Sequence, residues 1–152
     1  MGNINDYGLT QMKGILRETS TVNDAAYLLD LQQAVYDISG KVGGAMVVTV
    51  TGSSYALTPA PAATSPLWNV IAHRAVYLYR QDIWLKFLRE MEGLASMRDE
   101  IMTINRGETM RQLEKSVERA KQEYQGALSS YKRGASGMVS SMEEIETRED
   151  VT

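Results

Sequence analysis

The sequence predicts a mainly α protein: a helical bundle of about three helices, with a small β-hairpin or short strands and extended terminal arms. Three observations carry this prediction. Apolar residues recur at three- and four-residue steps in three separate stretches. One short β-branched run sits between glycine-containing turns. Both ends of the chain lose clear apolar periodicity. The expected organisation is an N-terminal arm over 1–22, a helical core over 23–133 with a β insertion at 46–57, and a C-terminal docking tail over 134–152.

In the arm, Leu9, Met12, Ile15 and Leu16 have helical spacing, but Gly8 and Gly14 each weaken a helix by about 1 kcal/mol. It is read as helical at best in part. The first clear helix follows Thr21 or Asn23, either of which can cap it through a side-chain oxygen. Its apolar set is Ala26, Leu28, Leu29, Leu31, Val35 and Ile38, and Gly40 is the expected left-handed stop. Met46 to Val50 reads as a strand, Thr51-Gly52-Ser53-Ser54 as a turn and Tyr55-Ala56-Leu57 as the returning strand. Pro59 and Pro61 then prevent regular pairing, so residues 58–64 form a loop.

Ser65-Pro66 opens the main helix, with serine at the cap and proline in the first turn. It is expected to run to about Met97. Ile101-Met102-Thr103-Ile104 alternates and suggests a third strand or an extended crossing. Gly107 is read as a turn, and Thr109 with Gln112 as a capping box. The last helix is then expected from Met110 to about Lys132, ending at Gly134. Its apolar seam is Met110, Leu113, Val117, Ala120, Tyr124, Ala127 and Tyr131, alternating steps of three and four. Such a seam suits antiparallel packing on the main helix. Beyond Gly134 the tail carries five acidic side chains and one basic, net −4, with Met138, Val139, Met142 and Ile145 scattered among them. Alone it is expected to be disordered and to fold on a partner.

The main helix shows two apolar stripes. Leu67, Ile71, Ala75, Leu78 and Leu85 form one, widened by Trp68, Ala72, Tyr79 and Ile83. Val70, Tyr77, Trp84 and Leu88 form the other. Two stripes imply that the helix is sandwiched, inside the subunit or between subunits. The second stripe is the candidate subunit interface, because aromatic residues dominate interface energetics.

Composition excludes several function classes. The 152 residues carry 16 Lys+Arg against 19 Asp+Glu, which argues against general nucleic-acid binding. There is no cysteine and one histidine, so thiolate sites, disulfides and multi-histidine metal sites are absent. His73 has no catalytic partner by spacing, and Gly40-Lys41-Val42-Gly43-Gly44 lacks the phosphate-loop spacing. No membrane span or signal peptide is read. The expectation is a non-enzymatic protein with no catalytic, cofactor-binding or metal site. Arg74, Arg80, Lys86 and Arg89 make the main helix basic, read as a solvated face or as one turned toward DNA.

The order of elements, with Leu57-Thr58-Pro59 leading to Leu67 through Ala75, and Ile101 through Gly107 leading to Tyr124 through Lys132, resembles the head–tail connector adaptors of tailed bacteriophages. The resemblance covers about residues 24 to 133. It implies a ring beneath the portal, of about twelve subunits packed head to tail. That ring would connect the phage head to the neck or tail and continue the DNA channel, the genome passing without specific binding. Implied partners are the portal protein and the next neck or tail protein, and the implied place is the virion neck, after assembly in the host cytoplasm. The resemblance assigns portal docking to the tail, through Met138, Val139, Met142 and Ile145, with Glu143, Glu144 and Glu146 facing basic residues. The alternative is a cytoplasmic helical assembly or chaperone-type module that binds a partner helix.

Overall fold

A computed structural model describes residues 2–42, 44–93 and 100–151, with side chains described for 2–42, 44–91 and 107–134. The protein is mainly helical, with one small antiparallel sheet. A π-helical turn, Ile4–Gly8, leads into α1 (Leu9–Leu16). α2 (Asp24–Ser39) follows, then β1 (Val47–Thr51) and β2 (Ser54–Thr58). The long helices are α3 (Leu67–Gly93) and α4 (Glu100–Val151).

α3 begins as its sequence dictates. Ser65 Oγ accepts the Leu67 N–H at 3.3 Å, and Pro66 occupies the first turn, where its missing N–H costs nothing. Over its first half both apolar stripes of α3 are covered within the one chain, whereas Leu85 of the first stripe is exposed. Tyr79 meets Tyr27 of α2 edge-on at 5.3 Å, whereas Tyr77, two residues away and on the opposite side, stacks on Tyr124 of α4 at 6.5 Å. Trp68, Ile71, Ala72 and Ala75 between them are fully buried. α4 runs antiparallel to α3: Val76 and Arg80 lie beside Ser116 and Ala120, and Pro66 and Asn69 beside Ala127 and Tyr131. All seven residues of the α4 seam are buried or half-buried, and the positions flanking them are largely exposed.

The hairpin pairs Val47 with Thr58 through Thr51 with Ser54. Gly52 supplies the positive φ of 62° that its two-residue loop needs. Leu57 and Val48 face the core; Val47, on the other face, and Val50, near the turn, are exposed. The outer edge of β2 is closed by two asparagine side chains. Asn3 Nδ2 donates to the Leu57 carbonyl at 3.0 Å, and its Oδ1 accepts the Leu57 N–H at 2.6 Å. Asn5 donates to the Ser53 carbonyl at 2.9 Å and accepts the Tyr55 N–H at 2.7 Å. A side-chain amide has the donor and acceptor of a peptide group, so the pair stands in for a third strand. The chain crosses so close that a Cβ on Gly2 would collide with the Tyr55 carbonyl.

Several expectations are corrected. Residues 2–22 are helical in part, over 4–16, but are docked on the core rather than an extended arm: Ile4 and Met12 are fully buried and Leu9 nearly so. Burial on α3 outweighs the glycine penalty, because most helix stability in proteins comes from packing. Gly40 ends α2 in a right-handed conformation, φ −71°, and Asn23 makes no side-chain cap bond. The alternating stretch at 101–104 is helical, and no third strand exists among the described residues. Four alternating residues also fit a helix, and Gly107 and Gly134 are carried inside α4 rather than turning or ending it. A single glycine costs about 1 kcal/mol, which flanking helix formers such as Met110, Leu113 and Glu114 offset. The main helix is described to Gly93; its expected continuation to Met97 lies outside the described residues. The tail is helical to Val151 rather than irregular.

Candidate assembly surfaces

The four residues of the expected interface stripe have different fates. Val70 is 1% exposed and lies in the core of the single chain. Tyr77 is half-buried, stacked on Tyr124, with the Arg74 guanidinium 5.1 Å from its ring centre. These two therefore serve intramolecular packing. Trp84 and Leu88 are half-buried farther along α3, and the shielded Trp84 indole N–H has no hydrogen-bond partner among the described residues.

Arg74 ties three helices together. Its Nε and Nη2 donate to Asp37 Oδ2 of α2 at 3.0 and 2.9 Å, and its guanidinium lies 5.2 Å from the Tyr124 ring centre of α4. Arg74 is thus engaged inside the chain rather than free to face DNA. Tyr124 is 4% exposed, yet its hydroxyl has no partner among the described residues. Leaving a buried hydroxyl unpaired costs about 1–3 kcal/mol. Tyr124→Phe is therefore expected to be about 1 kcal/mol more stable, seen as a higher urea midpoint at unchanged slope. A lower midpoint would mean that the hydroxyl has a hydrogen-bonding role.

Two titratable groups are displaced. His73 is half-buried, and burial lowers its pKa while Glu123 partly offsets this, so it is neutral at pH 7. Burial, helped by the Asp82 charge on α3, raises the Asp30 pKa to about 6. The unfolded value is about 3.9, so the folded state prefers protonated Asp30 and loses stability as pH rises from about 4 through 6. Asp30→Asn should therefore be more stable than the parent near pH 7, with the difference vanishing below about pH 4. Thermal melts at both pH values test this; an equal difference at both would exclude ionisation as its cause.

A groove of about 760 Å³ lies where α1, α3 and α4 meet. Its walls carry Arg17, Arg80, Lys115 and Arg119, with Glu123 the one carboxylate. Ile15, Leu16, Val76 and Ala120 supply apolar surface. Arg17 closes α1 in the left-handed conformation, φ 56°, its N–H meeting the Lys13 and Gly14 carbonyls. Among the described residues, none of the four cations forms an ion pair. Sequence inspection missed this site. Lys115 and Arg119 are one turn apart, but only antiparallel packing brings them to Arg80, and only the docked N-terminus adds Arg17.

The second surface is the end of α4. Its 52 residues span about 78 Å, against about 40 Å for the 27 of α3. Tyr131 and Gly134 lie beside Ser65 and Pro66, where α3 begins. Beyond them α4 continues to Val151 with no further length of α3 to pack on. One row of the seam continues, Met110, Val117, Tyr124, Tyr131, Met138 and Ile145 at seven-residue intervals, whereas the other passes from Leu113, Ala120 and Ala127 to Gly134, Ser141 and Arg148. Of the expected docking residues, Met138 and Ile145 fall on the face of this row by helical register, and Met142 beside it. Val139, Glu143, Glu144 and Glu146 fall beside or opposite it, and the side chains of all seven lie outside the described residues.

Among the described residues no group of three or more metal-ligating side chains is present, and no helix is long and apolar enough to cross a membrane. No family model, curated protein or solved structure matches the chain.

Proposed function

We propose that this chain is a structural assembly protein: a ring-forming connector adaptor placed beneath a phage portal, continuing the DNA channel toward the neck or tail. The observation that supports this reading is the unpartnered end of α4. α4 packs on α3 over its first part and runs on for 17 residues after Gly134, about 26 Å of helix, with Met138 and Ile145 continuing the every-seventh row of the seam. Isolated helices of that length are marginal in water, so such a segment is stabilised by a body outside its own chain, the portal or an adjoining copy. The rest of the molecule is a rigid scaffold held by side-chain packing, as a load-transmitting ring subunit requires. The order of helix, hairpin, proline-rich loop and long aromatic-bearing helix supports the likeness to the adaptor family, while the extended stretch expected at 101–107 is helical.

Negative-stain images and a solution mass of the purified protein test the reading. Rings with a central hole, at a mass near that of about twelve copies, are expected. A stable monomer or dimer at tens of micromolar would overturn it. Truncation after Gly134 should leave a folded protein that fails to join portal-containing heads. Normal incorporation of the shortened chain would remove the docking role from the α4 end.

A further inference from the structure

We infer that the basic groove of one copy receives the acidic end of α4, residues 135–151, from the next copy, so that the subunits join head to tail. This rests on the ring reading above and names the surfaces that would build the ring. Groove and helix match in charge. The groove presents four cations and a single carboxylate; the helix end carries Glu143, Glu144, Glu146, Glu149 and Asp150 against Arg148 alone. They also match in apolar character. Val76 and Ala120 form a floor flanked by half-buried Ile15 and Leu16, and the helix end carries Met138, Met142 and Ile145 in its sequence.

The helix end cannot fill the groove of its own chain. α4 lines that groove through residues 112–123, and Met138 lies about 22 Å farther along the same helix axis from Glu123. Folding back would require breaking α4. An interface between two different patches is heterologous, and it closes into a ring if the rotation per copy allows. Glu114 and Glu118 fall by register on the other flank of α4, and Glu108, on the groove's side, lies one turn before Gln112 and outside the lining.

The experiment uses two full-length variants. Arg80→Glu with Arg119→Glu reverses the groove and keeps the helix end. Glu143→Lys, Glu144→Lys and Glu146→Lys together reverse the helix end and keep the groove. Each alone should associate at least about tenfold more weakly than the parent, with unchanged circular dichroism, because like charges across an interface are strongly unfavourable. Mixed together they should form rings that contain both variants in equal numbers, since every groove then meets a helix end of opposite charge. A chain carrying both reversals should recover self-assembly. Parent-like rings from either variant alone, or a mixture that stays monomeric, would overturn the inference. Should the helix-end variant form normal rings but fail to join portal-containing heads, the occupant is the portal: the inference fails and the connector reading stands. Failure of the parent to form rings at all would sink that reading as well.

Discussion

Trp68→Ala is expected to cost about 3–5 kcal/mol, the largest effect of any single substitution considered for this chain. Trp68 is fully buried at the start of α3. Its indole N–H donates to the Ala62 carbonyl at 3.0 Å, which pins the proline-rich loop to the helix. The Tyr7 ring lies 5.6 Å away, tilted by 57°, and Gly8 passes close enough that a Cβ there would sit 3.5 Å from the indole. Truncation thus opens a cavity under the N-terminal segment and removes the loop's anchor at once. Against the 5–15 kcal/mol stability usual for a domain, that loss is severe. Urea unfolding measures it. A cost below about 1 kcal/mol would mean that the surrounding core collapses to fill the space. Trp68→Phe, which keeps most of the volume and loses the donor, should fall between.

Arg74→Ala should follow at about 2–3 kcal/mol. Arg74 and Asp37 are only 21% and 25% exposed, so water does not readily replace what is lost. Two charge-assisted hydrogen bonds disappear, together with the contacts to Tyr77 and Tyr124, and Asp37 keeps only its bond from Gln33 at 3.0 Å. Arg74→Lys keeps the charge but loses the planar fork, so it should restore only part of the stability. A double-mutant cycle with Asp37→Ala isolates the pair. Coupling below about 0.5 kcal/mol would make Arg74 a packing residue rather than an electrostatic tie.

The parts of the fold that were legible share one trait: a local pattern that long-range packing did not contradict. The seam from Met110 to Tyr131 needed only helical spacing, and the hairpin needed only a β-branched run and a glycine turn. The start of α3 needed only Ser65 and Pro66. Where the reading failed, one residue was allowed to decide a boundary. Gly107 and Gly134 looked like stops, yet α4 carries both. Gly8 and Gly14 looked like helix breakers, yet Ile4, Leu9 and Met12 gain enough burial to hold the N-terminal helix. The two stripes of α3 correctly implied a sandwich but could not say what covered them; α4 covers Tyr77, and Val70 is internal. The groove was illegible in principle. Its cations come from three helices, and nothing in local spacing connects residue 17 to residues 80, 115 and 119.

The asparagine-closed edge of β2 sets the valence of the sheet. In an antiparallel pair, alternate residues turn their N–H and C=O groups outward on both strands. Tyr55 and Leu57 do so on β2, and Asn5 and Asn3 occupy them. Their cross-strand partners Val50 and Val48 do so on β1, where no hydrogen-bond partner is found among the described residues. The hairpin can therefore accept a strand on one side only. Two molecules joined through β1 would exhaust each other's capacity, and a third would find no place. A pairing that terminates at two cannot propagate into a fibril, so this chain can be crowded at high local concentration without its sheet becoming a template for aggregation.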